Sequence, residues 1–121
     1  MVDNPLARHG GLTYLHIPAA DLRQSGAFYS EVLGWKIEER SGGLRFSDQD
    51  GLLIGGIGLG PAQVEERLVC YFYVEDIEAA VTRAAAAGGE VVSPPIAAPD
   101  IHVARVRDPA GNLIGLWQFA G

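Results

Sequence analysis

The chain contains the same pattern of residues twice, in the same order. Leu44–Gly55 lies over Ala104–Gly115 at an offset of 60, with matching Arg, Asp, Gly, Leu, Ile and Gly positions. Upstream, His16–Leu22 lies over Tyr71–Ile77 at an offset of 55, and Gly34 lies over Gly88 at an offset of 54. The offsets differ by the lengths of loops. A sequence whose halves repeat in this way is expected to fold each half into the same supersecondary unit.

Each half reads as strand, helix, strand, strand, strand. Leu12–Ile17 and Leu68–Val74 are apolar, β-rich runs, expected as first strands. Asp21 and Asp76 follow as helix N-caps, since a carboxylate accepts from backbone N–H groups that the first turn leaves without partners. Gln24, three residues after Asp21, adds a capping-box-like spacing. Helices are expected over Leu22–Leu33 and Ile77–Ala87, with Gly34 and Gly88 as stops where a positive φ is needed. In the first helix Leu22, Ser25, Phe28, Tyr29 and Val32 form the stripe expected to face the core. Trp35–Glu39 and Gly89–Ser93 are expected as second strands, and hairpins form about Asp48–Gly51 and Asp108–Gly111. Gly58–Arg67 reads as the linker between copies. Ser93–Asp100, with Pro94, Pro95 and Pro99, reads as a loop.

The resulting expectation is an α+β fold: two tandem βαβββ modules, about residues 11–59 and 67–119, forming a curved mixed sheet around a cavity within one domain spanning 1–121. The length suits one domain, and 48% hydrophobic residues can build a core. No apolar run is long enough to span a membrane and the N-terminus has no apolar signal core, so a cytoplasmic protein is expected. The net charge of −6, with scattered Lys and Arg, argues against a nucleic-acid partner. The single cysteine, Cys70, cannot form a disulfide within the chain and lies in an apolar strand, where it acts as a small hydrophobe.

Strand alternation separates two faces. Leu15, Ile17, Cys70, Phe72 and Val74 suit the helix side. Tyr14, His16, Val69, Tyr71 and Tyr73 face the other way. That second face is either a pocket wall or a surface packed on the other copy or on a second subunit.

The segments His-Ile-Pro-Ala-Ala-Asp-Leu, Ala-Phe-Tyr-Ser-Glu-Val-Leu-Gly-Trp, Val-Glu-Asp-Ile-Glu-Ala-Ala, Ala-Ala-Gly-Gly-Glu-Val-Val and Asp-Pro-Ala-Gly-Asn-Leu-Ile-Gly-Leu-Trp-Gln span Gly11 to Gln118. In this order they resemble the signatures of the glyoxalase/bleomycin-resistance/dioxygenase (vicinal oxygen chelate) superfamily. The resemblance implies a fold and not one reaction. In metal-dependent members it implies four ligand positions, which fall here on Tyr14, Gly55, Val69 and Gly115. Two glycines and a valine supply no donor, so neither a metal nor a cofactor is expected.

Among the remaining polar residues, His16 is the candidate catalytic side chain, able to act as acid, base or hydrogen-bonding group, or else as a structural histidine. The residues expected to bind a ligand are Tyr14, His16, Tyr71, Arg45, Arg105 and Trp117. Tyr71 is the repeat partner of His16. Arg45 and Arg105 are repeat partners suited to a carboxylate or phosphate. Trp117 offers an apolar wall, and Trp35 is expected at the pocket mouth. His102 caps the cavity or lies at an exposed loop edge, and His9 is solvated. The run Gly55-Gly56-Ile57-Gly58-Leu59-Gly60 reads as a strand and not as a nucleotide loop, because no helix follows in register. The function expected first is metal-free binding of a small organic molecule by a homodimer, on the pattern of the bleomycin-resistance members. The alternatives are a metal-dependent lyase, isomerase or dioxygenase, and a cofactor-free enzyme using His16 with Tyr14 or Tyr71.

Overall fold

The structure, a computed structural model, describes residues 4–59 and 67–120. Most of the expected linker, residues 60–66, lies outside the described residues. The elements run β1 (Leu12–Ala19), α1 (Leu22–Leu33), β2 (Lys36–Arg40), β3 (Gly43–Ser47), β4 (Ile54–Leu59), β5 (Val69–Tyr73), α2 (Ile77–Ala86), β6 (Glu90–Ala97), β7 (Ile101–Arg107) and β8 (Leu113–Phe119). This is the βαβββ order twice. The chain divides into two compact units, Thr13–Cys70 and Met1–Leu12 with Tyr71–Gly121, hereafter the N-terminal and C-terminal units.

The caps act as expected. Asp21 accepts from the Gln24 N–H at 3.0 Å and Asp76 from the Ala79 N–H at 3.1 Å. Gly34 closes α1 with φ 72°, a left-handed conformation that a side chain would disfavour. In the N-terminal unit the strand order is β2-β3-β4-β1, with β1 and β4 parallel and the other pairs antiparallel. In the C-terminal unit it is β5-β8-β7-β6, with β5 and β8 parallel.

One face of each unit forms the core. Ile17, Phe46 and Ile57 are buried, with Leu15, Leu22, Tyr29, Trp35 and Ile37 packed against them. Val74, Ile77, Ala104, Val106 and Leu116 do the same in the C-terminal unit. Trp35 belongs to this core and not to a pocket mouth. It lies between Tyr29 and Phe46, with ring centroids 5.2 and 4.2 Å away and planes nearly parallel. The core-facing stripe of α1 is the buried Gly26 with the half-buried Leu22, Ser25 and Tyr29, while Phe28 and Val32 are exposed. The stripe is displaced because Gly26 allows close approach: a Cβ there would stand 2.7 Å from Leu44 Cδ1.

The expected curved sheet around a cavity is not found. Within each unit the four strands, β2-β3-β4-β1 and β5-β8-β7-β6, form a mixed sheet that is neither closed nor strongly curled. One outer strand of each unit is also built against further pairing. β2 carries Lys36, Glu38, Glu39 and Arg40, all exposed. β6 carries Pro94 and Pro95 and shifts register twice against β7. Charges, prolines and bulges on edge strands oppose further pairing. The same strand corrects the expected Ser93–Asp100 loop: β6 continues to Ala97, because an edge position tolerates residues that cannot donate.

The two hairpins differ by one residue. Asp48 N–H donates to Leu53 O, whereas Asp108 N–H donates to Asn112 O, both at 2.9 Å. The repeated motif therefore aligns the turns but not the last strands. Arg45 pairs with Gly56, and Arg105 with Gly115, so Gly56 and not Gly55 is the counterpart of Gly115. Gly55 pairs with Leu15 and Phe46, and a Cβ on it would meet the Leu15 carbonyl and the Phe46 ring. Gly55→Ala is expected to destabilise the fold by about 1–3 kcal/mol through overpacking. Gly56→Ala, whose Cβ would stand 3.3 Å from the Tyr14 hydroxyl and 3.7 Å from the Leu44 carbonyl oxygen, should cost much less. Urea denaturation of both variants checks this.

Asp108 organises the C-terminal hairpin. It accepts from the Asn112 side-chain amide at 2.9 Å and from the Asn112 and Ala110 N–H groups at 2.9 and 3.0 Å. The Asn112 amide first, then those backbone groups, hold its carboxyl below the usual carboxylate range. A depressed folded-state pKa means that the ionised side chain stabilises the fold above the ordinary Asp range, and that this contribution disappears as pH falls through the lowered value. A carbon-detected NMR titration should show Asp108 protonating below an unperturbed aspartate, and Asn112→Ala should raise its midpoint.

Candidate functional site

The uncovered sheet face of the N-terminal unit is built from three strands. β1 contributes Tyr14 and His16, β3 contributes Arg45, and β4 contributes Gly56 and Gly58. Gly56 is the register partner of His16 on one side and of Arg45 on the other. A Cβ on Gly56 would lie 3.3 Å from the Tyr14 hydroxyl, and one on Gly58 3.8 Å from His16 Cε1. The glycines leave bare backbone between a phenol, an imidazole and a guanidinium. The result is a solvent-open hollow of about 240 Å³, to whose lining Arg40 and Ser41 also belong. The glycine-rich run through Leu59 is a strand, as expected. It supplies a floor and not a phosphate loop.

The same three positions exist in the C-terminal unit but are filled. Gly115 is the register partner of Tyr71 and of Arg105. The Tyr71 ring occupies the space that a Cβ on Gly115 would need. Arg105 donates to the Tyr71 hydroxyl from Nε at 3.1 Å and from Nη2 at 2.8 Å. Beside them Trp117 is buried and packs edge-on against Tyr73 and Phe119, with centroids 4.9 Å away in each case.

Of the six expected ligand-binding residues, Tyr14, His16 and Arg45 therefore gather on one unit and Tyr71, Arg105 and Trp117 on the other. Arg40 was missed by the sequence reading. Its signal was the tight turn at Gly42, φ 83°, which brings the end of β2 beside β3. His102 lies within β7, paired with Gln118. The exposed His9 accepts from the Glu75 N–H through Nδ1 at 3.1 Å. Cys70 is a partly buried free thiol. A larger groove of about 710 Å³ lies on the helix side, between α1 and β2–β3. Tyr14, His16, Arg45 and the β4 glycines do not line it.

The positions that the superfamily uses for a metal do not fit one here. Gly55 faces the helix-side core, and its register counterpart Gly56 is also a glycine. Val69 is buried and aliphatic, and Gly115 lies under Tyr71. Tyr14 alone leaves a divalent ion with a single phenol oxygen. Among the described residues no group of three or more His, Cys, Asp and Glu is placed to hold a metal ion. No described helix is long and apolar enough to cross a membrane.

Comparison with known proteins matches residues 14–117 to a family model described as a glyoxalase-like domain. Two curated relatives, CFP32 of Mycobacterium tuberculosis and of Mycobacterium bovis, carry provisional glyoxylase names. Each is 25% identical over 121 aligned residues, covering 92% of this chain and 46% of the relative. The chain thus spans about half the length of the curated relatives it matches. Among solved structures, a glyoxalase/bleomycin resistance protein/dioxygenase superfamily member from Vibrio splendidus is 19% identical. Its TM-score is 0.64, over 88% of this chain and 97% of that one. Methylmalonyl-CoA epimerase from Mycobacterium tuberculosis is also 19% identical, with a TM-score of 0.67 over 100% of this chain and 94% of that one. At this identity the likeness is one of fold.

Calorimetric titration with zinc, nickel, manganese or iron(II) is expected to show no tight stoichiometric site. A one-to-one site abolished by Tyr14→Phe would overturn the assignment of these positions as non-ligating.

Proposed function

The chain belongs to the glyoxalase-like domain family, and on that premise we propose that it is a metal-free small-molecule-binding protein. Its ligand sits in the hollow on the uncovered face of the N-terminal unit. The observation that carries this reading is Gly56, bare backbone flanked in register by His16 and Arg45. Ligand pockets combine accessible surface with a few convergent polar groups. Here the imidazole, the phenol of Tyr14 and the guanidinium supply those groups.

Tyr14, His16 and Arg45 make the direct contacts. Tyr71, Arg105 and Trp117, packed within the C-terminal unit, have a supporting place. His16 contributes a hydrogen bond in this reading, and no reaction is assigned to it. The proposal includes a cytoplasmic location, no nucleic-acid partner and a homodimer. The last is supported by Phe28, Val32 and Ile96, which are 56%, 60% and 61% exposed and offer apolar surface for a second copy.

Amide chemical shifts recorded against a library of small organic compounds test the site. Ligands should perturb Tyr14–Ile17, Leu44–Phe46 and Ile54–Gly58. Gly56→Val, which places a branched side chain on the floor, should weaken them by at least about tenfold while leaving the thermal midpoint near that of the parent. Shifts confined to other elements, or unchanged binding by Gly56→Val, would remove the hollow as the site.

A further inference from the structure

Resting on the binding reading above, we infer that the hollow selects organic acids, with a planar carboxylate held by the paired N–H groups of Arg45. The first support is internal to the fold. In the C-terminal unit the guanidinium at the equivalent position directs Nε and Nη2 at one oxygen, the Tyr71 hydroxyl, which is carried on an aromatic ring lying over Gly115. In the N-terminal unit the residue in place of Tyr71 is His16, which has no hydroxyl to present. Arg45 is exposed and has no side-chain partner among the described residues. The donor fork is repeated, but its intramolecular acceptor is not. A carboxylate carried on a planar group supplies both the oxygen and the flat body that Tyr71 supplies in the other unit.

The second support is charge. The chain has 15 acidic and 9 basic residues, so an average patch of its surface is acidic. The hollow reverses that balance: Arg40, Arg45 and His16 line it, and no Asp or Glu does. The nearest acid in register is Glu38, opposite Arg45 on β2. Its carboxylate is engaged by Arg40 in an ion pair whose side chains are 55% and 59% exposed. Exposed pairs of this kind are weakly held, so Arg40 can turn towards an incoming anion at little cost. Gly56 and Gly58 carry no side chain of their own, and the floor is bordered by the Tyr14 hydroxyl and His16 Cε1, 3.3 and 3.8 Å from where their Cβ atoms would stand.

The test uses the whole chain and three probes built on one phenyl ring, the near-isosteric benzoate and benzamide and the cationic benzylamine, titrated against backbone amide shifts. Benzoate should move Arg45, Gly56, Gly58 and Tyr14–His16 and should bind at least about tenfold tighter than benzamide, as expected for a charge-assisted bidentate contact. Benzylamine should leave these residues unmoved. Arg45→Gln should lower benzoate affinity at least about tenfold. Arg83→Gln, the same change of charge on the exposed surface of α2, should not alter it, and added sodium chloride should weaken the parent's binding. If benzamide binds the hollow as tightly as benzoate, or Arg45→Gln binds benzoate unchanged, selection for acids is overturned and the hollow remains a binding site. If none of the probes moves the hollow, the inference fails, and the wider compound library then decides the binding reading separately.

Discussion

The N-terminal unit depends on the absence of one side chain. At Gly55, the Leu15 carbonyl and the Phe46 ring occupy the place of a Cβ. That contact lets β4 lie parallel to β1 and antiparallel to β3 at once, with Phe46 buried beneath them. It also fixes the phase of β4. With Gly55 turned to the core, alternation sends Gly56 and Gly58 to the opposite face, where they lie among Tyr14, His16 and Arg45. A packing requirement on one side of the sheet thereby creates the open floor on the other.

Much of this order was legible in the residues. The repeat indicated two βαβββ units, because a unit that cannot bury its apolar face alone is often used twice. Asp21 and Asp76 marked helix starts through a local hydrogen bond that needs no tertiary context. The face shared by Tyr14 and His16, and that shared by Tyr71 and Tyr73, followed from alternation alone. What stayed hidden depended on distant partners. Pro94 and Pro95 suggested a loop because the edge position of β6 is a property of the whole sheet. Trp35 suggested a pocket mouth because its stacking partners, Tyr29 and Phe46, lie on other elements. The helical stripe was misplaced at Phe28 and Val32 because a buried glycine, Gly26, draws α1 towards Leu44.

The extra residue in the first hairpin had the largest effect on the site. Matching Asp-x-x-Gly turns and Leu-Ile-Gly strands pointed to Gly55 as the partner of Gly115, yet the two glycines face opposite sides of their sheets. Side-chain direction has a period of two, so a one-residue difference in a turn exchanges the faces of everything aligned beyond it. Gly56 is as free of side-chain donors as Gly55, so neither glycine could hold a metal ion. The one-residue difference changes which glycine lies bare on the uncovered face.

The closed pair formed by Tyr71 and Arg105 bears on stoichiometry. A duplicated unit places the same strand positions on both copies, so a site formed at those positions could in principle be formed twice. Here one seat holds its own tyrosine, clasped by its own arginine over Gly115. The symmetry of the repeat is thus broken in the packing: among the described residues only the Arg105 guanidinium is held by a tyrosine over the glycine, so on the binding reading proposed above the two units would not offer a ligand equal places.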